Sequence, residues 1–244
     1  MSKYVRLPEE GYIVFVGDTH GDYITTKTII KNYLNRKDYY ILMLGDYIDR
    51  GKDSQKNLDF LLKVYEEHKN IFLLAGNHEM HSIRKCSPSD FWNSITDEKK
   101  EEYNKKLLTL PLVAVGNGFI ALHGALPKIS NLKEIQDIKN GDDNWTRIVW
   151  GDFREKKGGE LGNFLGRPKF GKDYFETIMS NLKLNVLIRG HDPLAPEKMF
   201  DNRCLTLFTS SAYKKERKIA ISRLDKEIKS INDIKILSFD RLEN

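Results

Sequence analysis

Cysteine is scarce. Cys86 and Cys204 are the two thiols in 244 residues, too few for a disulfide framework. No stretch approaches the roughly 20 apolar residues that a membrane-crossing helix needs. The opening segment MSKYVRLPEEGY lacks the apolar core of a signal peptide. A cytoplasmic protein with no membrane partner is expected. Charge of one sign is also lacking. Forty Lys and Arg against 35 Asp and Glu leave a formal net charge of +5, spread along the chain. The densest basic run, Lys214-Lys215-Glu216-Arg217-Lys218, carries no interleaved aromatic residues on which bases could stack. It reads as a solvated turn, and no nucleic acid partner is expected. There is no internal repeat, no low-complexity tract, and no nucleophile elbow for a catalytic serine.

What remains is an ordinary globular balance, 40% hydrophobic and 31% charged, read as a single domain over residues 1–244. Short apolar runs recur: Tyr12–Val16, Tyr39–Leu44, Ile71–Ala75, Phe119–Leu122, Val186–Ile188, Leu205–Phe208, Ile219–Ile221 and Ile234–Leu237. Each has strand length, and many are rich in Ile, Val, Phe or Tyr. Leu58, Leu61, Leu62 and Tyr65 recur at helical spacing, as do Tyr174, Phe175, Ile178, Met179 and Leu182, and both stripes read as core-facing. The first half thus alternates strand and helix, the signature of parallel βαβ units. Residues 82 to 109 read as polar helical surface. Residues 151 to 172, with six glycines, read as a long loop.

The strands end alike. After successive runs come Gly17-Asp18-Thr19-His20-Gly21, Gly45-Asp46-Tyr47-Ile48-Asp49-Arg50-Gly51, Gly76-Asn77-His78-Glu79, His123-Gly124 and Arg189-Gly190-His191. In open α/β sheets, ligands bind beyond the carboxyl ends of strands, and glycine lets the chain turn there. Asp18, His20, Asp46, Asn77, His123 and His191 offer oxygen and imidazole donors without sulfur, which suits manganese, iron, zinc or magnesium. Six donors exceed the need of one ion and suit two, spaced about 3.5–4 Å apart to clamp a phosphate. A lone Gly-Asp is usually a turn; five such strand ends in one chain point to a site. His68 reads as solvated, His81 as lying beside the site or at the surface, and both cysteines as inert.

GDTHG, GDYIDRG, GNHE, the HG of LHGAL and RGH, in this order, resemble the phosphoprotein phosphatase family of serine/threonine phosphatases, within the calcineurin-like metallophosphoesterases. The likeness runs from about residue 12 to residue 221. It implies an α/β fold: a four-layer α/β/β/α sandwich of mixed β-sheets flanked by helices. It also implies two divalent ions, with manganese favoured. By matching motif, Asp18 and His20 hold the first ion, Asp46 bridges, and Asn77, His123 and His191 hold the second. His78 is the general acid, Asp49 its carboxylate partner. Arg50, Arg167, Asn77 and Tyr213 contact the phosphate, with Arg154 and Arg189 as rivals of Arg167.

The implied activity is removal of phosphate from phosphoserine and phosphothreonine proteins, by direct attack of a metal-bridging hydroxide. The alternative is a symmetrical diadenosine tetraphosphate hydrolase or another small-molecule phosphatase. That group typically reads GNHD where this chain has Glu79. A nucleic acid phosphodiesterase would end in GHxH, but Asp192 and Pro193 follow His191. A catalytically dead binding module is disfavoured because every inferred ligand is present. The departures are Ala125 and Pro127 in place of HGGLSP, and Ser210-Ser211-Ala212-Tyr213 in place of SAPNY. The chain stops at Asn244 without the long tail of eukaryotic catalytic subunits. That suggests a compact prokaryotic-type monomer without evident regulatory subunits.

Overall fold

The computed structural model describes residues 2–213 and 215–239. Lys214 of the basic run and the last five residues lie outside them. Among the described residues the strands are β1 (Tyr4–Arg6), β2 (Tyr12–Val16), β3 (Tyr39–Met43), β4 (Ile71–Leu73), β5 (Val113–Gly116), β6 (Phe119–Leu122) and β7 (Asp152–Phe153). Beyond these come β8 (Glu160–Phe164), β9 (Arg167–Phe170), β10 (Val186–Arg189), β11 (Lys198–Met199), β12 (Cys204–Thr206), β13 (Lys218–Arg223) and β14 (Lys235–Ser238). The helices are α1 (Tyr23–Tyr33), α2 (Ser54–Glu67), α3 (Asp90–Ser94), α4 (Asp97–Leu107), α5 (Asp143–Trp150) and α6 (Lys172–Leu182).

Two sheets carry the fold. One has the order β14-β13-β2-β3-β4, the other β1-β5-β6-β10-β12-β11. Alternation along each strand decides the layers, because successive side chains face opposite ways. Ile13 and Phe15 pack between the sheets with Ala121, Ile188 and Leu205. Their neighbours Val14 and Val16 face outward, into the larger core that holds Ile29 of α1 and Leu58, Leu61 and Leu62 of α2. On the far side, Leu122 and Leu187 share that outer class with Trp145 of α5 and Phe175 and Met179 of α6. The rings of Phe15 and Phe119 meet edge to face at 5.3 Å across the sandwich. Helices therefore flank two packed sheets, the four layers implied by the resemblance.

The parallel reading of the first half holds: β2 pairs with β3 and β3 with β4, all parallel. Both expected helix stripes are buried, although Tyr65 is half-buried where Val64 is buried. Two readings need correction. Residues 151 to 172 are not a loop but a small third sheet, β7-β9-β8. Strand β8 is mostly exposed, so it carries no apolar alternation to reveal it. Residues 82 to 109 are not wholly surface, since Phe91, Trp92, Tyr103 and Leu107 are buried.

In one sheet β2, β3 and β4 run parallel; in the other β6, β10 and β12 do. An isolated bridge between Asp18 and Phe208 ties the end of β2 to the segment after β12. The carboxyl ends of both sets are thus brought to one edge of the sandwich. No helix is long and apolar enough to cross a membrane among the described residues.

Candidate active site

At that edge Asp18, His20, Asp46, Asn77, His123 and His191 come together, all buried. Main-chain carbonyls set the histidine tautomers. His123 Nδ1 lies 2.9 Å from the Leu44 carbonyl and His20 Nδ1 lies 2.9 Å from the Ile48 carbonyl. A carbonyl only accepts, so each Nδ1 carries the proton and each Nε2 presents a lone pair. His123 Nε2 then faces Asn77 Oδ1 at 3.2 Å, Asp46 Oδ2 at 3.3 Å and His191 Nδ1 at 3.1 Å. His20 Nε2 faces Asp46 Oδ2 at 3.6 Å and Asp18 Oδ2 at 3.8 Å.

Acceptors converging on acceptors call for cations. The donor set is oxygen and nitrogen, which fits hard and borderline divalent ions. Electrostatics say the same. Burial pushes the Asp18 carboxyl up to about 7, against the pull of His123. Burial also opposes ionisation of Asp46, yet His123 and His78 outweigh it and hold that carboxyl well below its usual range. Burial takes the His20 imidazole down to about 3, leaving it neutral. Burial, with Arg167 and His123 nearby, likewise keeps His191 neutral. For His123 burial again opposes charge and Asp46 overcomes it, so a proton competes for the Nε2 lone pair that a cation would take. The gap between Asp46 and His123 attracts positive charge.

His78 stands at the wall of this cluster. Its Nδ1 lies 2.5 Å from Asp49 Oδ2 and its Nε2 4.0 Å from Asp46 Oδ2. Burial disfavours the imidazolium, but Asp46 and Asp49 raise the pKa well above 6.5. The Asp49 carboxylate is fixed in turn by the Phe91 N–H at 2.8 Å.

A cavity of about 360 Å³ opens over these groups, lined by Arg50, Arg154, Arg167, Lys169 and Tyr213 among others. The Arg50 guanidinium lies 5.4 Å from the Tyr213 ring centroid, and that ring packs 5.6 Å from His20. Arg167 lines the cavity with two N–H groups committed to Asp152, at 3.0 and 2.7 Å. Arg154 lines it too, tied to Asp192. Arg189 is fully buried and does not line the cavity.

Sequence reasoning missed three carboxylates. Glu79 accepts N–H bonds from Asp46 and Tyr47, each at 2.8 Å, and from Gly76 at 3.0 Å, so it locks two strand ends together. Its own carboxyl is raised to about 7 by burial and by Asp46. Asp152 sits among Arg167, Arg154, Arg189 and His191, and Asp192 holds Arg154. Of the partners of Asp152, Arg189 and His191 come from a distant segment. His81, read as lying beside the site or at the surface, is buried, and Cys86 packs between it and His78.

A demand for cations at the floor, and guanidinium groups for an anion at the wall, define a metal-dependent phosphoesterase. The chain belongs to the calcineurin-like phosphoesterase family, whose profile matches residues 11–194. That family uses divalent metals. A protein named as a probable serine/threonine-protein phosphatase of Encephalitozoon cuniculi is 27% identical over 202 residues, covering 77% of this chain and 44% of that protein. Serine/threonine-protein phosphatase T of Saccharomyces cerevisiae is 27% identical over 220 residues, 81% of this chain and 41% of its own. The chain spans less than half the length of these relatives. A Saccharomyces cerevisiae serine/threonine phosphatase structure superimposes with a TM-score of 0.76 at 20% identity, over 98% of this chain and 83% of the other. A structure provisionally assigned as a diadenosine tetraphosphatase gives 0.57 at 14% identity, over 98% of both chains.

Proposed function

We propose that this phosphoesterase chain carries one catalytic domain, over residues 1–244, of a serine/threonine protein phosphatase that hydrolyses phosphomonoesters without a covalent phosphoenzyme. The observation that carries this reading is the Asp49–His78 contact of 2.5 Å. A buried imidazolium held by a carboxylate, its Nε2 turned to the metal floor, is a proton donor placed for one leaving oxygen.

Asp18 and His20 would hold one divalent ion, Asn77, His123 and His191 a second, and Asp46 both. When bound, the pair supplies positive charge to the phosphate oxygens and lowers the pKa of the attacking water. Manganese is the proposed ion. Arg50 presents a planar fork to the phosphate. Asn77 offers its side-chain N–H to the same group, and Tyr213 closes the wall beside Arg50. Asp152 orients Arg167, leaving its remaining N–H groups for the anion. His78 donates its Nε2 proton to the leaving ester oxygen as the P–O bond breaks, so the product departs as an alcohol, and Asp49 keeps the ring aligned. Phosphoproteins are the proposed partners, met in the cytoplasm by a monomer.

The second reading, a diadenosine tetraphosphate hydrolase, is favoured by the full-length match of fold with the structure assigned to that activity. Side-by-side hydrolysis of a phosphoserine peptide and diadenosine tetraphosphate tests the choice. The proposal expects a higher kcat/KM for the peptide; the reverse order refutes it.

A further inference from the structure

Six large apolar side chains are exposed among the described residues. Two of them, Phe164 and Leu194, line the cavity, at 59% and 87% exposure. A third, Leu165, is 84% exposed and follows Phe164 at the tip between β8 and β9. Strand register shows which way this hairpin faces. Phe164 pairs with Arg167 across the turn, and Asp152 pairs with Lys169. Paired residues share a face of a sheet, as do residues two apart in one strand. Asp152, Lys169, Arg167 and Phe164 therefore stand on one face, and all four line the cavity. The face that turns Arg167 toward a phosphate turns Phe164 toward whatever carries that phosphate.

The apolar rim is held in place at a cost. Leu165 and Gly166 have φ of 50° and 79°, the geometry of a two-residue hairpin turn that favours Asn-Gly. A leucine there is strained and leaves its side chain in water. The Leu194 N–H donates to Asp192 Oδ1 at 3.0 Å, which anchors the second side of the rim. Apolar groups fixed in water beside a polar cavity mark a surface that a partner covers.

We propose that Phe164 and Leu194 bind an apolar side chain of the protein substrate, near the phosphorylated serine or threonine, and that Lys169 turns away a basic one. This substrate class rests on the proposed phosphatase activity. The cavity of about 360 Å³ is roughly 9 Å across, and an extended chain advances about 3.3 Å per residue, so residues within about three places of the phosphorylated one reach the rim. Lys169 Nζ lies 4.8 Å from the Phe164 ring centroid. That sets a positive charge beside the apolar surface. It also covers one face of the ring, where a nucleobase would otherwise stack, and Leu194 offers a base no plane. Burial of apolar surface gives the preference, and like charge gives the rejection.

The test uses the manganese-loaded protein and phosphoserine peptides built on alanine, with a single leucine or lysine moved through the flanking positions. At one position leucine should raise kcat/KM about tenfold over alanine, and lysine there should lower it below alanine. Phe164→Ser and Leu194→Ser should each erase the leucine preference, every rate being taken relative to the same variant's rate on p-nitrophenyl phosphate. Both side chains are exposed, so Tm should hold. Lys169→Glu should remove the discrimination against lysine. Equal rates on all peptides overturn the apolar site and leave the phosphatase activity standing. A leucine preference that survives in either serine variant, or that disappears together with a lowered Tm, overturns it as well. Discrimination against lysine that persists in Lys169→Glu overturns the role of that residue. No turnover of any phosphopeptide refutes the proposed function and the peptide site with it. Diadenosine tetraphosphate turnover that then falls in Phe164→Ser would assign the ring to a nucleobase.

Discussion

Asp46 lies between the two halves of the donor cluster, 3.6 Å from His20 Nε2 and 3.3 Å from His123 Nε2. If it serves both ions, Asp46→Asn loses charge where both need it. Metal content and activity should fall together. Arg50 lies at the cavity wall, away from those donors, so Arg50→Ala should retain metal and lose phosphate affinity and rate. Elemental analysis of the two purified variants checks the division of labour; equal metal loss contradicts it. If His78 is the proton donor, His78→Asn removes it and leaves the metal-facing donor set intact. It should cost about 10²–10⁴-fold in kcat, with metal unchanged, when assayed on an alkyl phosphate whose leaving group needs protonation. A variant losing less than tenfold there would remove His78 from that role.

At the scale of elements, the candidate site is built from residues just beyond the carboxyl ends of β2, β3, β4, β6 and β10. His20, Asp46, Asp49, Arg50 and His191 all have φ between 42° and 73°, the left-handed region that costs a non-glycine residue roughly 1 kcal/mol or more. Hydrogen bonds to Glu79 and tight glycine packing hold such turns in place. A Cβ on Gly190 would strike Asp18 Oδ1, so the chain can approach that carboxylate only as glycine. Glu79→Gln removes one carboxylate oxygen from an amide-lined pocket. An unsatisfied buried N–H costs about 1–3 kcal/mol, so the urea midpoint should drop accordingly; an unchanged midpoint would deny Glu79 its latching role. These strand ends were legible in the sequence because apolar runs, glycine and ligand-type residues occur side by side. The β7-β9-β8 sheet was not, because an exposed strand such as β8 lacks the apolar period that marks a strand. Asp152, Asp192 and Cys86 were not legible either. Their meaning depends on arginines and histidines that reach them only after folding.

At the scale of the molecule, two sheets bring six parallel strand ends to one edge, and the site needs both. Ions bound there stabilise the folded chain by mass action, about 2.7 kcal/mol at a hundred times Kd. Chelation should therefore lower Tm, and manganese should restore it; a Tm indifferent to both would show that no ion is held at the joint of the sheets. If product and substrate share the clamp, inorganic phosphate should compete with substrate, raising KM at constant kcat. Noncompetitive kinetics would place phosphate elsewhere. The central claim is that donors from both sheets surround a pair of cations. Anomalous scattering from crystals grown with manganese measures it directly. The account predicts two peaks about 3.5–4 Å apart, flanking Asp46, one beside Asp18 and His20 and one beside Asn77, His123 and His191. A single peak, or peaks away from these side chains, would contradict it.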